Sequence, residues 1–340
     1  MNKLPTFDDK TEQLHEDCLQ GKVLANLAKV DASDYASRSS DRSMLQKYLG
    51  DVKEYICSRR CLKARPDVLK QIVEDVEEQF FHWRKIGKGT PLGKLNKRLE
   101  YVFGYSRFRD KKGHLNDNWG GEVLMRRLLK DVRYCPYCNA ETVYAIEMKP
   151  SGKGRAPLIK VAFDHFYPKG RYPFLSVSLY NLIPSCYRCN SQFKIAHYKE
   201  LNDTLHPYTD SVDSVMRFIP GAISSSAWNG GDVKGGLDLL FIPKTSTLEE
   251  DKRRGENFAE LFQIQRVYSQ LYGNEALAML QKCRIFDDEY IRQIEDWFAA
   301  AGLNNVDVKQ LIFNVPFDRA EINKHRLSKM LNDMRDFWLG

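Results

Sequence analysis

Cys135-Pro136-Tyr137-Cys138-Asn139, then Phe163-Asp164-His165-Phe166-Tyr167-Pro168-Lys169, then Tyr180-Asn181-Leu182-Ile183-Pro184-Ser185-Cys186-Tyr187-Arg188-Cys189-Asn190 are the three runs that decide the fold of this chain. Two Cys-x-x-Cys pairs supply four sulfur ligands in two close couples, which suits tetrahedral zinc. A shell closed by four thiolates has no position left for a substrate or an activated water, so such a metal is structural. Any chemistry must then come from side chains between or directly beside the pairs. Asp164, His165, Asn181 and Asn190 are the candidates.

The rest of the chain sets the frame. Its 340 residues are enough for one large or two to three ordinary domains, and the 43% apolar share with 12% aromatics is that of a globular protein. With 52 basic against 45 acidic side chains the formal charge is +7, a mild excess that favours a polyanionic partner without requiring one. No run of eighteen apolar residues occurs, and Met1 to Lys10 lacks an apolar signal-peptide stretch, so a cytoplasmic protein with no membrane partner is expected. In a reducing compartment Cys18, Cys57, Cys61 and Cys283 read as ordinary thiols.

Residues 1–133 read as helical. Val68, Ile72, Val73, Val76, Phe80 and Phe81 recur at helical intervals between Pro66 and Ile86, and Ser43 to Cys57 behaves alike. Turn-formers occupy Gly87 to Lys94 and Asp110 to Gly121, and Glu122 to Val132 resumes the helical pattern. Residues 134–210 differ: Thr142 to Met148 and Pro157 to Phe163 are strand-like runs joined by a hairpin loop at Lys149 to Arg155, and a short helix is expected from Cys186 towards Lys199. This predicts a strand, strand, helix unit pinned by zinc. Residues 211–340 read as mixed and then helical, with strands expected at Met216 to Ile219 and Leu237 to Ile242. The fold class expected is α+β, mostly helical.

The stretch Cys135 to Lys194 resembles the HNH endonucleases, the ββα-metal fold, in a zinc-stapled form. In that family an Asp-His pair ends the first strand, an asparagine follows in the connecting segment, and an asparagine or histidine lies on the helix. Asp164-His165, Asn181 and Asn190 fill those places. The resemblance implies a divalent-metal-dependent phosphodiesterase with DNA, double-stranded by preference, as substrate. His165 would be the general base, in keeping with an imidazole pKa near neutrality. Asp164 and Asn190 would be the oxygen ligands of a catalytic Mg2+ or Mn2+, alongside the structural Zn2+ held by Cys135, Cys138, Cys186 and Cys189. On extended backbone Asp164 and His165 point to opposite sides, so one can face a metal and the other a water. Asn181 would hold the loop and orient His165, and Lys169, Arg171 and Lys194 would contact phosphates.

The motif wording is similar to bacterial antiphage HNH effectors such as the nuclease subunit of Septu and retron systems. That likeness implies a regulatory ATPase or other defence subunit as partner, or a homo-oligomer, although the long helical region before the motif departs from the shorter members. Blander roles remain open for the same residues. His165 could be a structural histidine, and Asn181 and Asn190 plain turn or cap residues; His197 reads as a solvated helix histidine, and His206, near the end of the motif, could approach the site but is not among the candidates. A zinc deaminase would need His-x-Glu, but Phe166 and Tyr167 follow His165. A non-catalytic zinc-ribbon module for nucleic acid or protein explains the cysteines and leaves the Asp-His pair and both asparagines as coincidence.

Overall fold

The computed structural model describes residues 1–81, 89–110, 119–147, 158–194, 201, 203–223, 225–229 and 237–339. The expected hairpin loop, the far end of the helix after Cys186, and His197 lie outside these residues. Among these residues six α-helices precede the first knuckle: α1 (Asp9–Leu27), α2 (Ser39–Cys57), α3 (Pro66–Val76), α4 (Pro91–Phe103), α5 (Tyr105–Asp110) and α6 (Gly121–Leu128). Strands β1 (Ala145–Glu147), β2 (Leu158–Lys160), β3 (Phe163–His165) and β4 (Leu182–Pro184) come next. After them lie α7 (Val212–Val215), β5 (Met216–Pro220), α8 (Ser225–Trp228) and β6 (Leu239–Pro243), then α9 (Glu249–Leu261), α10 (Ile264–Ile285), α11 (Asp288–Ala300), α12 (Val308–Phe313) and α13 (Ser328–Leu339). The chain is mostly helical α+β. Among the described residues no helix is long and apolar enough to cross a membrane.

α2 and α3 form where the periodicity placed them, whereas α4 begins at Pro91, inside the run of turn-formers expected from Gly87 to Lys94, because Thr90 and Pro91 serve as its cap and first residue. Pro66 opens α3 at a position whose N–H needs no partner, and Leu69, Ile72, Val73 and Val76 bury one face. Thr90 caps α4 by accepting from Gly93 N at 3.1 Å, and Gly104 ends it at φ 65°, the left-handed cap that glycine adopts without cost. This stop lets α5 start at Tyr105, a residue that reaches the centre of the molecule.

The strands differ from expectation. β1 and β2 pair antiparallel as a hairpin, with Ile146 opposite Ile159. The run ending at His165 is not one strand: β3 separates from β2 and pairs with β4, placing Asp164 opposite Ile183 and His165 opposite Leu182. Leu182-Ile183-Pro184 is too short to display a two-residue period, so its partnership was invisible in the sequence. A helical turn of π type, Arg188–Phe193, comes directly after the second knuckle begins. The strand, strand, helix unit is therefore β3, β4 and this turn, while β1 and β2 stand apart. The expected strands at 216–219 and 237–242 are close to β5 and β6, which pair antiparallel with Phe218 opposite Phe241.

Apart from residues 168–171 the segment between β3 and β4 is buried, and the first helices hold it. Leu179 N donates to Leu62 O at 2.8 Å, Asn96 Nδ2 to Arg171 O at 3.2 Å, and Tyr180 Oη to Glu12 at 2.5 Å. His15 of α1, fully buried, donates from Nε2 to Val177 O at 2.7 Å and accepts at Nδ1 from Trp119 Nε1 at 3.0 Å. On the other side, Arg133 N and Tyr134 N both donate to Asn323 O. Hydrogen bonds thus cross both expected boundaries: Leu4 N donates to Pro207 O at 2.7 Å across the one at 133, and the Tyr134 N bond to Asn323 O crosses the one at 210.

Gly104→Ala should lower stability by about 1–2 kcal/mol, because a Cβ is strained at this φ and would press on the Arg107 guanidinium; a urea midpoint equal to wild type would contradict it. Burial depresses the His15 pKa to about 4, below its unfolded value, so its contribution to folding is complete above pH 6.5 and is lost as pH falls from there towards 4. The loss per pH unit is about 1.4 kcal/mol for this one group. His15→Gln, measured by urea denaturation from pH 7 to 5, should show a shallower decline than wild type.

Candidate metal centre and adjoining cleft

The four knuckle sulfurs lie within 4.8 Å of one another and all four cysteines are buried. A tetrahedron with metal–sulfur bonds of about 2.3 Å has sulfur atoms roughly 3.8 Å apart, and Cys138 and Cys186 are 3.9 Å apart. Backbone N–H groups support the sulfurs: Cys186 N donates to Cys135 Sγ and Cys189 N to Cys186 Sγ, both at 3.5 Å. Asn139, in the left-handed conformation at φ 51°, closes the first knuckle by donating its N–H to Cys135 O at 2.7 Å. Asn190 repeats that backbone bond on the second, to Cys186 O at 3.0 Å. Burial pushes the Cys135 thiol up, whereas the surrounding thiols hold Cys138 far below its ordinary value. A dication resolves this conflict, since it stabilises all four groups as thiolates. The cluster could hold a structural metal such as zinc.

The first knuckle is also a hub. Asn139 Nδ2 donates to Ile322 O at 2.7 Å and His325 O at 3.1 Å, and its Oδ1 accepts from Lys329 N at 3.1 Å. Tyr268 of α10 donates to Cys138 O at 2.5 Å. Tyr137, inside the Cys-x-x-Cys, stacks on Phe262 with ring centroids 4.2 Å apart and donates its hydroxyl to Asp164 Oδ2 at 2.6 Å. Burial, then the Asp164 charge, pushes the Tyr137 hydroxyl far up, so it remains a donor.

Asp164, His165, Asn190 and Lys169 line one open cleft of about 330 Å³ together with Pro168, Gly170, Ser191 and Lys194. Asp164 is 3% and His165 9% exposed. His165 Nε2 lies 2.9 Å from the Ser176 carbonyl, which can only accept, so the proton is on Nε2 and the lone pair on Nδ1. Burial lowers the His165 pKa to about 3, with Lys169 and Lys194 adding to the fall and the Ser176 bond opposing it; the ring is neutral at pH 7 and is a weaker base than the near-neutral imidazole expected from the sequence. Tyr105 of α5 packs edge-on against it, centroids 4.3 Å apart, and the Lys169 ammonium sits 4.9 Å from the Tyr105 centroid.

Asn181 is fully buried and away from the cleft lining. Its Oδ1 accepts from Tyr167 N at 2.7 Å, and its Nδ2 donates to Tyr167 O at 3.1 Å and Leu175 O at 2.8 Å. It ties both ends of the 167–175 loop, while the bond that orients His165 comes from Ser176. The three cations assigned to phosphate differ in setting. Lys194 is 4% exposed and its ammonium lies 2.5 Å from both Asp164 Oδ2 and His165 O. Arg171 forms two bonds to Glu77, at 2.6 and 2.5 Å, from behind the cleft. Both therefore have internal anions where the sequence suggested phosphate, and Lys169 is the one of the three that is both partly exposed and part of the cleft lining. His206 packs on Phe166 and accepts at Nδ1 from Tyr208 N.

Tyr137, Tyr105 and the Ser176 carbonyl were missed by sequence reasoning. Tyr137 alone left a trace, as an aromatic inside the knuckle.

No family model matches the chain, and no solved structure does. Protein ea31 of Escherichia phage lambda is similar, with 29% identity over 107 residues, 31% of this chain and 34% of that protein. The chain thus spans about a third of the length of the curated relative it matches.

Metal analysis of the purified chain should find one tightly held zinc that persists in Asp164→Ala and Asn190→Ala and is lost, with the thermal transition, in Cys135→Ser. Zinc lost equally from Asn190→Ala would join the two sites that the geometry separates.

Proposed function

We propose that the chain is a divalent-metal-dependent endonuclease of the HNH, or ββα-metal, type that hydrolyses phosphodiester bonds in DNA. The observation that carries this reading is the common cleft: a β3 end bearing Asp164 and His165, and a helical turn bearing Asn190, both fixed next to a four-cysteine cluster. A carboxylate and an amide oxygen are hard donors, suited to Mg2+ or Mn2+ rather than to a softer ion. When bound there, the cation would offset charge on the scissile phosphate and on the departing oxygen.

The chain's own residues supply the rest. Neutral His165, its proton held on Nε2 by the Ser176 carbonyl, takes a proton from water at Nδ1. Tyr105 limits where the ring can turn. Lys169, over the Tyr105 face at the cleft, meets the phosphate backbone. Asn181 fixes the loop that carries Lys169 and presents Ser176. Double-stranded DNA is the preferred substrate, and the motif wording supports an effector role in bacterial antiphage defence with a regulatory partner such as an ATPase.

A second reading, a non-catalytic zinc module, draws on one observation: Asp164 and His165 are both buried and satisfied by Lys194, Tyr137 and Ser176, as a structural pair would be. Plasmid DNA incubated with the purified chain and Mg2+ or Mn2+ separates the two. Cleavage should be lost by about two to four orders of magnitude in His165→Ala. Wild type as inert as that variant on duplex, single-stranded and RNA substrates, with its neighbouring gene products supplied, would leave the zinc module standing. Phage plaque counts on strains carrying the native or the Asp164→Ala/His165→Ala operon test the defence role, and equal counts would remove it.

A further inference from the structure

Two donors reach the same oxygen of Asp164. The Tyr137 hydroxyl lies 2.6 Å and the Lys194 ammonium 2.5 Å from Oδ2. Lys194 also donates to His165 O at 2.5 Å and lies 5.4 Å from the Phe166 ring centroid, so its hydrogens are directed inward and the side chain is enclosed. Lys194 stands four residues after Asn190 along the same helical segment, which brings both side chains to the end of β3. Among the described residues, neither bond to Asp164 falls on Oδ1, the oxygen left for the cleft.

The charges of the cleft nearly cancel before any ion arrives. Among its described lining residues Asp164 is the one anion, and Lys194 already neutralises it; Asn190 adds an oxygen with no charge, and Lys169 adds a further positive charge nearby. Affinity of oxygen sites for hard dications rises with the number of charged ligands. A site of zero or positive net charge holds such an ion weakly until an anion joins it.

We infer that Lys194 is a built-in counter-cation and positioning residue, which fixes Asp164 through Oδ2 and keeps divalent-cation affinity low until a phosphodiester enters the cleft. The inference rests on the nuclease reading. Tyr137 serves the same oxygen without adding charge, so it positions Asp164 and does not set the affinity. Metal and DNA then bind cooperatively, each raising the affinity for the other by the same factor. A resting protein would carry its structural zinc and little of the second ion.

Mn2+ is the probe, its free fraction read by electron paramagnetic resonance on the zinc-loaded full chain. Work in a His165→Ala background prevents cleavage. Lys194→Met keeps the length of the side chain and removes its charge; it should bind Mn2+ about tenfold tighter or more in the absence of DNA. A merely structural lysine would give the opposite, because losing its bonds would loosen Asp164. A short DNA duplex should tighten Mn2+ binding about tenfold with Lys194 present, and by less in Lys194→Met. Mn2+ binding that Lys194→Met leaves equal or weaker overturns the inference. If that variant loses its zinc or its thermal transition, the duplex-dependent tightening with Lys194 present decides alone, and its absence overturns the inference. Mn2+ binding that is absent with and without DNA, or unchanged by Asp164→Asn, would instead bring down the nuclease reading, and this inference with it.

Discussion

Four sulfur atoms enclosed within 4.8 Å, in cysteines no more than 6% exposed, impose a constraint that the surrounding strands are too short to meet. Thiolates at this spacing repel one another, and neutral thiols would contribute little cohesion. A dication turns the repulsion into attraction to one centre and fixes four backbone positions at once. β3 and β4 have three residues each, far fewer than an independent sheet requires. Their pairing persists because knuckles stand beside it, the first leading into β1 and the second opening two residues after Pro184. From this clamp Tyr137 reaches Asp164, and Asn139 draws in the segment from Ile322 to Lys329. The cluster and the cleft are thereby one mechanical unit, joined by the Tyr137 hydroxyl and by Asn190, which follows Cys189 and lines the cleft.

The other half of the cleft is set by the helices before residue 134. His165 takes its orientation from the Ser176 carbonyl, and Ser176 belongs to a loop whose backbone is pinned by His15, Leu62 and Asn96. The aromatic wall at His165 is Tyr105, placed by the left-handed stop at Gly104. A buried backbone segment needs a partner for each polar group, and here α1, α4 and the α2–α3 connection supply them. The long helical region ahead of the motif is thus part of the site's construction.

What was legible in the sequence came from regular spacing. The cysteine pairs, the helical stripes of α2 and α3, and the placement of Asp164, His165 and Asn190 in one cleft could all be anticipated from fixed intervals or a motif register. What was not legible depended on distant partners. Leu182 to Pro184 is a strand only because β3 lies opposite. Asn181 fits a loop-holding role, but the group that bonds His165 is a backbone carbonyl, which carries no side-chain signature. Lys194 and Arg171 looked like phosphate ligands because a sequence displays charges without their counter-ions, and Asp164 and Glu77 are 30 and 94 residues away.

The count of 52 basic side chains accordingly overstates what the folded chain can offer a polyanion. Several cations are occupied internally: Lys194 by Asp164, Arg171 by Glu77, Arg254 by Asp210, Arg188 by Glu141, and Lys329 by Asp213 and Asp333. The buried ones among these pairs cannot be redirected to a phosphate without leaving a carboxylate enclosed and unpaired, a cost larger than a surface phosphate contact returns. On the proposed nuclease reading, attraction for a nucleic acid would have to arise from cations left accessible around the cleft, of which the partly exposed Lys169 stands beside His165, and from the cation that the phosphate itself would help to recruit. On that same reading the site would couple its electrostatics to occupancy: its positive potential would grow when substrate and divalent ion arrive together, whereas the structure itself has the Asp164 charge matched by Lys194.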